Sequence, residues 1–209
     1  RTGAMGEPMP YHDAQNGGPN TLWRNQGDGN FVNATSEVGL DANNNRFAFA
    51  ASWEDFDNDG DPDLYVANDY GRNSLYRNDA GVFRDVAHEL GVEEMSAGMS
   101  VSWGDINRDG TMDFHVSNMF SAAGNRITYQ RQFKDTEDGQ TKQQFQRHAR
   151  GNSLFLADGE GSFRDLSVEA GITMGRWAWA SKFCDLNNDG WQDIVVNNGF
   201  ISAADTGDL

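Results

Sequence analysis

Three nine-residue acidic strings stand in one frame along the 209-residue chain: DFDNDGDPD from Asp55 to Asp63, DINRDGTMD from Asp105 to Asp113, and DLNNDGWQD from Asp185 to Asp193. Oxygen-bearing side chains fill positions 1, 3, 5 and 9 of each. They are Asp55, Asp57, Asp59 and Asp63, then Asp105, Asn107, Asp109 and Asp113, then Asp185, Asn187, Asp189 and Asp193. Gly60, Gly110 and Gly190 hold position 6. Hard oxygen donors at this spacing wrap a divalent cation such as calcium, and the glycine permits the tight backbone path. Position 7 would add its backbone carbonyl, so Asp61, Thr111 and Trp191 are free to differ in side chain. Four carboxylates crowded together in the first loop repel one another unless a cation neutralises them. About three Ca2+ ions are therefore expected. The first loop should bind most tightly, because Asn107 and Asn187 lower the ligand charge of the other two. A plain Asp–Gly hairpin turn is the alternative, but a turn has no need of the aspartates at positions 1, 3 and 9.

An EF-hand would require a bidentate Glu at position 12 and a helix on each side. Val66, Val116 and Val196 stand there instead. The ninth-position Asp opens an alternating segment in each copy, DLYVAN, DFHVSN and DIVVNN, which predicts a strand. Leu64 with Val66, Phe114 with Val116, and Ile194 with Val196 would share one buried face. AASW, VSW and ASKF upstream predict the preceding strand, so each acidic loop joins two antiparallel strands.

A second element recurs: NTLWRNQGDGNFVNATSEVGL from Asn20, NSLYRNDAGVFRDVAHELGV from Asn73, and NSLFLADGEGSFRDLSVEAGI from Asn152. In each a Leu precedes an aromatic residue (Trp23, Tyr76, Phe155). A Gly-bearing turn, a Phe (Phe31, Phe83, Phe163) and a later Gly (Gly39, Gly91, Gly171) follow. This predicts two short strands in a hairpin, then a turn stopped by glycine. Alternating the two elements gives a four-stranded unit: strand A, acidic loop, strand B, connection, strand C, hairpin, strand D. Units of this size repeating along a chain indicate an all-β propeller rather than a sandwich.

The LYRN…GxFxDVxxxxG element alternating with WxDxDxDGxxDLxVxN resembles the FG-GAP/VCBS repeats of integrin-alpha-like β-propellers. Its wording is similar to bacterial relatives of the cartilage acidic protein family, of ASPIC/UnbV type. The resemblance implies four-stranded antiparallel blades with calcium loops between strands A and B. It covers nearly all of the chain except about residues 1–19 and an insertion. The expected organisation is a single propeller fragment over 1–209. It comprises a half blade at 20–40, a blade at 46–88, a blade at 97–168 carrying the insertion 119–151, and a half blade at 177–200. Two complete blades and two halves do not close a usual ring, so the rest of a longer propeller, or self-association, is expected to complete it.

The net charge is −16, and eleven of the 32 acidic residues lie in the three loops. Such a balance argues against nucleic acid as a partner. Cys184 stands alone and is expected to be a small buried side chain. No stretch is long enough to span a membrane, and loops of modest charge suit millimolar calcium. An extracytoplasmic location (secreted, periplasmic or cell surface) is expected. Asn33-Ala34-Thr35 forms a glycosylation sequon, of consequence only in a suitable secretory host.

The insertion carries Arg126, Arg131, Lys134, Lys142, Arg147 and Arg150 against Asp135, Glu137 and Asp138. Residues 139–150 predict a helix stopped by Gly151, with Phe133 and Phe145 pinning the arm to the propeller. As a B–C connection it belongs on the face opposite the acidic loops, where it would dock a partner or merely cover a blade edge. His115 is expected in a structural position and His148 in solvent, and Met95, Met99 and Met174 as gap fillers. Trp177 and Trp179 are expected mainly to pack. No Ser–His–Asp order, paired-His zinc motif or phosphate-cradling loop occurs. Two functions remain: a calcium-stabilised propeller of cell-adhesion type that binds a protein or glycan, and the propeller of a carbohydrate-active enzyme of polysaccharide lyase or sugar dehydratase type. The first is preferred. A tyrosine, histidine or arginine cluster on a sugar-sized pocket would favour the second.

Overall fold

Alternating β-branched and aromatic residues between Gly- and Asp-rich turns fold into twelve strands in a computed structural model that describes residues 6–135 and 139–199. Glu137 and Asp138 of the insertion, Phe200 at the end of the last half blade, and the two chain ends lie outside the described residues. The strands are β1 Trp23–Gly27, β2 Asn30–Asn33, β3 Phe47–Glu54, β4 Asp63–Tyr70, β5 Ser74–Asp79, β6 Val82–Asp85, β7 Gly98–Gly104, β8 Asp113–Asn118, β9 Ser153–Ala157, β10 Phe163–Asp165, β11 Ala178–Cys184 and β12 Asp193–Asn198. Two four-stranded antiparallel sheets, β3-β4-β5-β6 and β7-β8-β9-β10, are flanked by the two-stranded sheets β1-β2 and β11-β12. This is a β-propeller, and the described strands form no closed ring. The A strands adjoin in order, β3 beside β7 and β7 beside β11.

Blades pack face to face, and that adds a second buried face to the expected one. Leu64 and Val66 do share a face, packed with Tyr76 and Phe83 against Leu40, with Leu22 and Val38 beside them. The opposite face of β4 is buried as well: Tyr65 and Ala67 meet Phe114, Val116 and Phe155 of the next blade. A central blade strand has neighbours on both sides, so its alternation sorts residues between two cores rather than between core and water. The Phe114 and Phe155 rings stack 4.8 Å apart, and Tyr65 lies 4.8 Å from Phe114. Full burial of such rings contributes about 1.5–3 kcal/mol each.

Main-chain bonds repeat between blades. Phe83 N–H donates to Val38 O (2.7 Å), and Phe163 N–H donates to Leu90 O (3.2 Å). Both acceptors lie in the turn that follows a D strand. Gly39 closes the first of these turns at φ +84°, and a Cβ there would stand 2.7 Å from Phe83 O, so that position demands glycine.

The insertion folds as α1 (Ala122–Thr128) and α2 (Gly139–Ala149), against the single predicted helix at 139–150. Ser121 caps α1 by accepting the Gly124 N–H at 2.9 Å. Phe145 packs on Phe133 (5.7 Å) and on His12 (4.6 Å), so it pins the arm to the N-terminal segment. Arg147 and Arg150 turn inward to Asp165, and Arg147 also lies 3.3 Å from Glu94, whose side chain is fully buried. Lys142 donates to Gln130 O and Lys134 lies over the Phe145 ring. Much of the arm's positive charge is therefore consumed internally.

Candidate metal centre

Each acidic loop is folded by its own aspartates before any ion is considered. Asp55 Oδ1 accepts the Asp59 N–H (3.1 Å) and its Oδ2 accepts the Gly60 N–H (3.0 Å). Asp105 takes Asp109 and Gly110 in the same way, and Asp185 takes Asp189 and Gly190. The third-position side chain caps the same fifth-position N–H, from Asp57 at 3.3 Å, Asn107 at 3.1 Å and Asn187 at 3.0 Å. Gly60 sits at φ +95° with open space around it, so conformation rather than crowding selects glycine. Position 4 is left-handed in all three loops, which the spacing of the acidic residues does not itself require: Asn58 (φ 59°), Arg108 (62°) and Asn188 (58°). Asn at two of the three was the available signal, since Asn tolerates that region.

The ninth-position aspartate fastens the loop to the blade. Asp63 is fully buried; its Oδ2 accepts Phe56 N–H (3.0 Å) and its Oδ1 accepts Asn78 N–H of β5 (2.8 Å). Asp113 repeats this with Ile106 N–H (3.0 Å) and Ala157 N–H of β9 (2.8 Å). Asp193 accepts Leu186 N–H at 3.1 Å. Burial pushes the Asp63 carboxyl up to about 6, against the pull of its two N–H donors, and raises Asp113 as well. Asp57 is raised by burial and by the neighbouring charge of Asp59. These are carboxylates that a cation would relieve.

Among the described residues, Asp55, Asp57 and Asp63 bring three carboxylate oxygens within 4.8 Å of one another. The other two loops substitute Asn107 and Asn187, whose side-chain amides donate to Asp109 and Asp189 at 2.7 and 2.9 Å. The Thr111 hydroxyl also bonds Asp109. Asp59 Oδ1 accepts the Asp61 N–H at 2.8 Å. The Asp61 carboxylate itself turns to the β5–β6 hairpin, accepting Ala80 N–H at 3.0 Å, which leaves its backbone carbonyl as the group to offer an ion. Trp191 lies under the Arg108 guanidinium, 4.3 Å from its ring centre, and so links the second and third loops.

Other side chains settle differently from expectation. Cys184 is exposed, because its side of β11 has no covering strand among the described residues. His148 is not solvated: it packs against Tyr11 (5.4 Å) and Tyr70 (6.4 Å), and burial lowers it to about 4. Met99 is buried, as a gap filler should be, but Met174 is exposed. Trp179 packs on Phe49 with ring centres 5.9 Å apart. His115 is fully buried in β8, bonded to Ser181 at 2.9 Å, in a structural place. Asparagines outside the acidic loops also organise the blades. Asn73 accepts Asn68 N–H (2.8 Å) and Asn152 accepts Asn118 N–H (3.0 Å), each joining strand B to the start of strand C.

A family model described as an FG-GAP-like repeat matches residues 14–66, 55–116 and 145–196. Each match ends within a B strand, just beyond one acidic loop. The match concerns the repeat and not the narrower likeness to cartilage acidic proteins. No curated protein matches the chain.

Proposed function

Because the chain belongs to the FG-GAP-like repeat family, we propose that it is a calcium-stabilised binding or scaffold propeller working outside the cytoplasm. The observation that carries this reading is the convergence of Asp55, Asp57 and Asp63 in a loop whose backbone is already wound for a central ion. The donor set is hard oxygen throughout, which suits calcium. Asp55, Asp57, Asp59 and Asp63, with the carbonyl of Asp61, would hold the first ion. Asp105, Asn107, Asp109, Asp113 and the Thr111 carbonyl would hold the second. Asp185, Asn187, Asp189, Asp193 and the Trp191 carbonyl would hold the third. A bound ion would supply charge neutralisation and lock the A–B connection of each blade. No described helix is long and apolar enough to cross a membrane.

On the opposite face the arm offers exposed Ile127 and Tyr129, with Arg131 beside them, as a surface for a protein or glycan partner. Thermal melting in calcium and in chelator tests the metal reading. One ion at a hundred times its dissociation constant contributes about 2.7 kcal/mol, so three loops should raise the melting temperature by well over 10 °C. Identical melting curves would remove the metal from the account.

A tyrosine–histidine group does stand near the arm, where Tyr11, Tyr70 and His148 meet. Such a group is the feature the carbohydrate-active reading calls for. Against it, the His148 Nδ1 is buried without a hydrogen-bond partner among the described residues, so none of their carboxylates orients the ring through that atom as it would a base. Binding remains the better-supported function.

A further inference from the structure

Where β4 ends, the pairing skips a residue. Phe47 pairs with Tyr70 and Ala48 with Asn68, so Asp69 bulges out of the ladder. A bulge re-aims its side chain, and bulges concentrate beside functional sites. The corresponding places after Asn118 and Asn198 hold Met119 and Gly199, so this carboxylate belongs to one blade alone. Asp69 lines a cavity of about 580 Å³ beneath the arm, walled by Tyr11, Tyr70, Phe120, His148 and Trp177. Small residues of α1 and its approach, Ala122, Ala123 and Gly124, leave the space open. The volume is that of a small-molecule site.

Among the described residues the cavity lining holds one carboxylate, Asp69, and no Lys or Arg. Asp69 Oδ1 is buried without a hydrogen-bond partner among the described residues. Burial alone raises its carboxyl to about 6, so it is still ionised at neutral pH. His148 stays neutral there, and no Lys or Arg among the described residues lines the cavity. The arginines of the arm's end are turned to Asp165 and Glu94 instead. A half-buried carboxylate without a counter-ion among the described residues is relieved by a ligand that brings a positive charge. The aromatic walls add the attraction of ring faces for a cation. Tyr11, Tyr70, Ser121, Thr128 and His148 could also hydrogen-bond a sugar, so glucose is the competing ligand, but only a cationic ligand answers the Asp69 charge.

We infer that the cavity beneath the arm is a binding site for a small organic ammonium compound, with Asp69 as its counter-ion and Tyr11, Tyr70 and Trp177 as its aromatic walls. This goes beyond the calcium reading and does not depend on it, since the site lies on the face away from the acidic loops. Choline, and dimethylbutanol as its uncharged carbon isostere, separate charge from shape. In calcium-replete buffer, calorimetry should show saturable binding of choline. Its methyl proton resonance should shift upfield in the ring currents of the walls. Dimethylbutanol should bind at least about tenfold more weakly, and Asp69→Asn should weaken choline by a similar factor. The variant should fold, because no donor among the described residues loses its partner; a melting temperature no lower than that of the unaltered protein checks this. Absence of saturable choline binding would overturn the inference. So would equal affinity for the two probes, unchanged binding by Asp69→Asn, or binding of glucose in choline's place.

Discussion

The clamp between the arm and the blades can be weighed by removing Arg147. Its guanidinium lies 3.3 Å from Glu94, bonds Asp165, and sits 5.8 Å from the centre of the Phe155 ring. The Glu94 side chain has no exposure, and one of its oxygens already lacks a partner. Arg147→Met keeps the aliphatic stem over Phe155 but leaves Glu94 with Asn118 (3.1 Å) and the Ser153 hydroxyl as its remaining donors. Asp165 keeps Arg150 at 2.9 Å. The loss is therefore chiefly a buried charge deprived of its counter-ion, which costs about 3–5 kcal/mol. For a chain of this size that lowers the melting temperature by roughly 10 °C. Glu94→Gln on the Arg147→Met background removes the stranded charge while keeping an acceptor for Asn118. The double variant should be about 2 kcal/mol more stable than the sum of the two single changes predicts. Urea titrations of the four proteins give the cycle, and limited proteolysis of the arm gives a local readout. An Arg147→Met loss below about 1 kcal/mol, the value of an exposed pair, would refute the reasoning. Strictly additive losses would do the same.

Two further perturbations test single residues. His148 is held down at about 4 by burial, with His12 adding to the effect, while an unfolded His titrates near 6.5. The unfolded chain takes the proton first, so this contribution is complete above about pH 6.5 and drains away as the pH falls toward 4. About 2 kcal/mol should be lost across that window after allowance for partial exposure, and His148→Phe should flatten it in denaturant titrations; parallel profiles would contradict the burial. Asp59→Ala should weaken calcium binding far more than Asp61→Ala, whose carboxylate serves Ala80 N–H instead. Equal losses by calorimetry would reverse the ligand assignment.

Short-range chemistry was fixed by the order of residues alone. The Asp at position 1 bonds the N–H groups four and five residues on, and Gly at position 6 suits its own positive φ, so the loops were readable as strings. The strands were readable for the same reason, since alternation is local. What the string could not reveal depended on neighbours brought from far along the chain. Tyr65 is buried because Phe114 of the next blade covers it, and Cys184 is exposed because no described strand covers its side of β11. His148 looks like a solvated member of a basic arm until Tyr11 and Tyr70, more than seventy residues away, close around it. The arm's arginines read as free charge until Glu94 and Asp165 answer them. The bulge at Asp69 is a register property of two paired strands, and no single strand contains it. Local geometry follows from covalent neighbours, whereas burial and charge pairing depend on which distant surfaces meet, and here the packing of one blade on the next decided that.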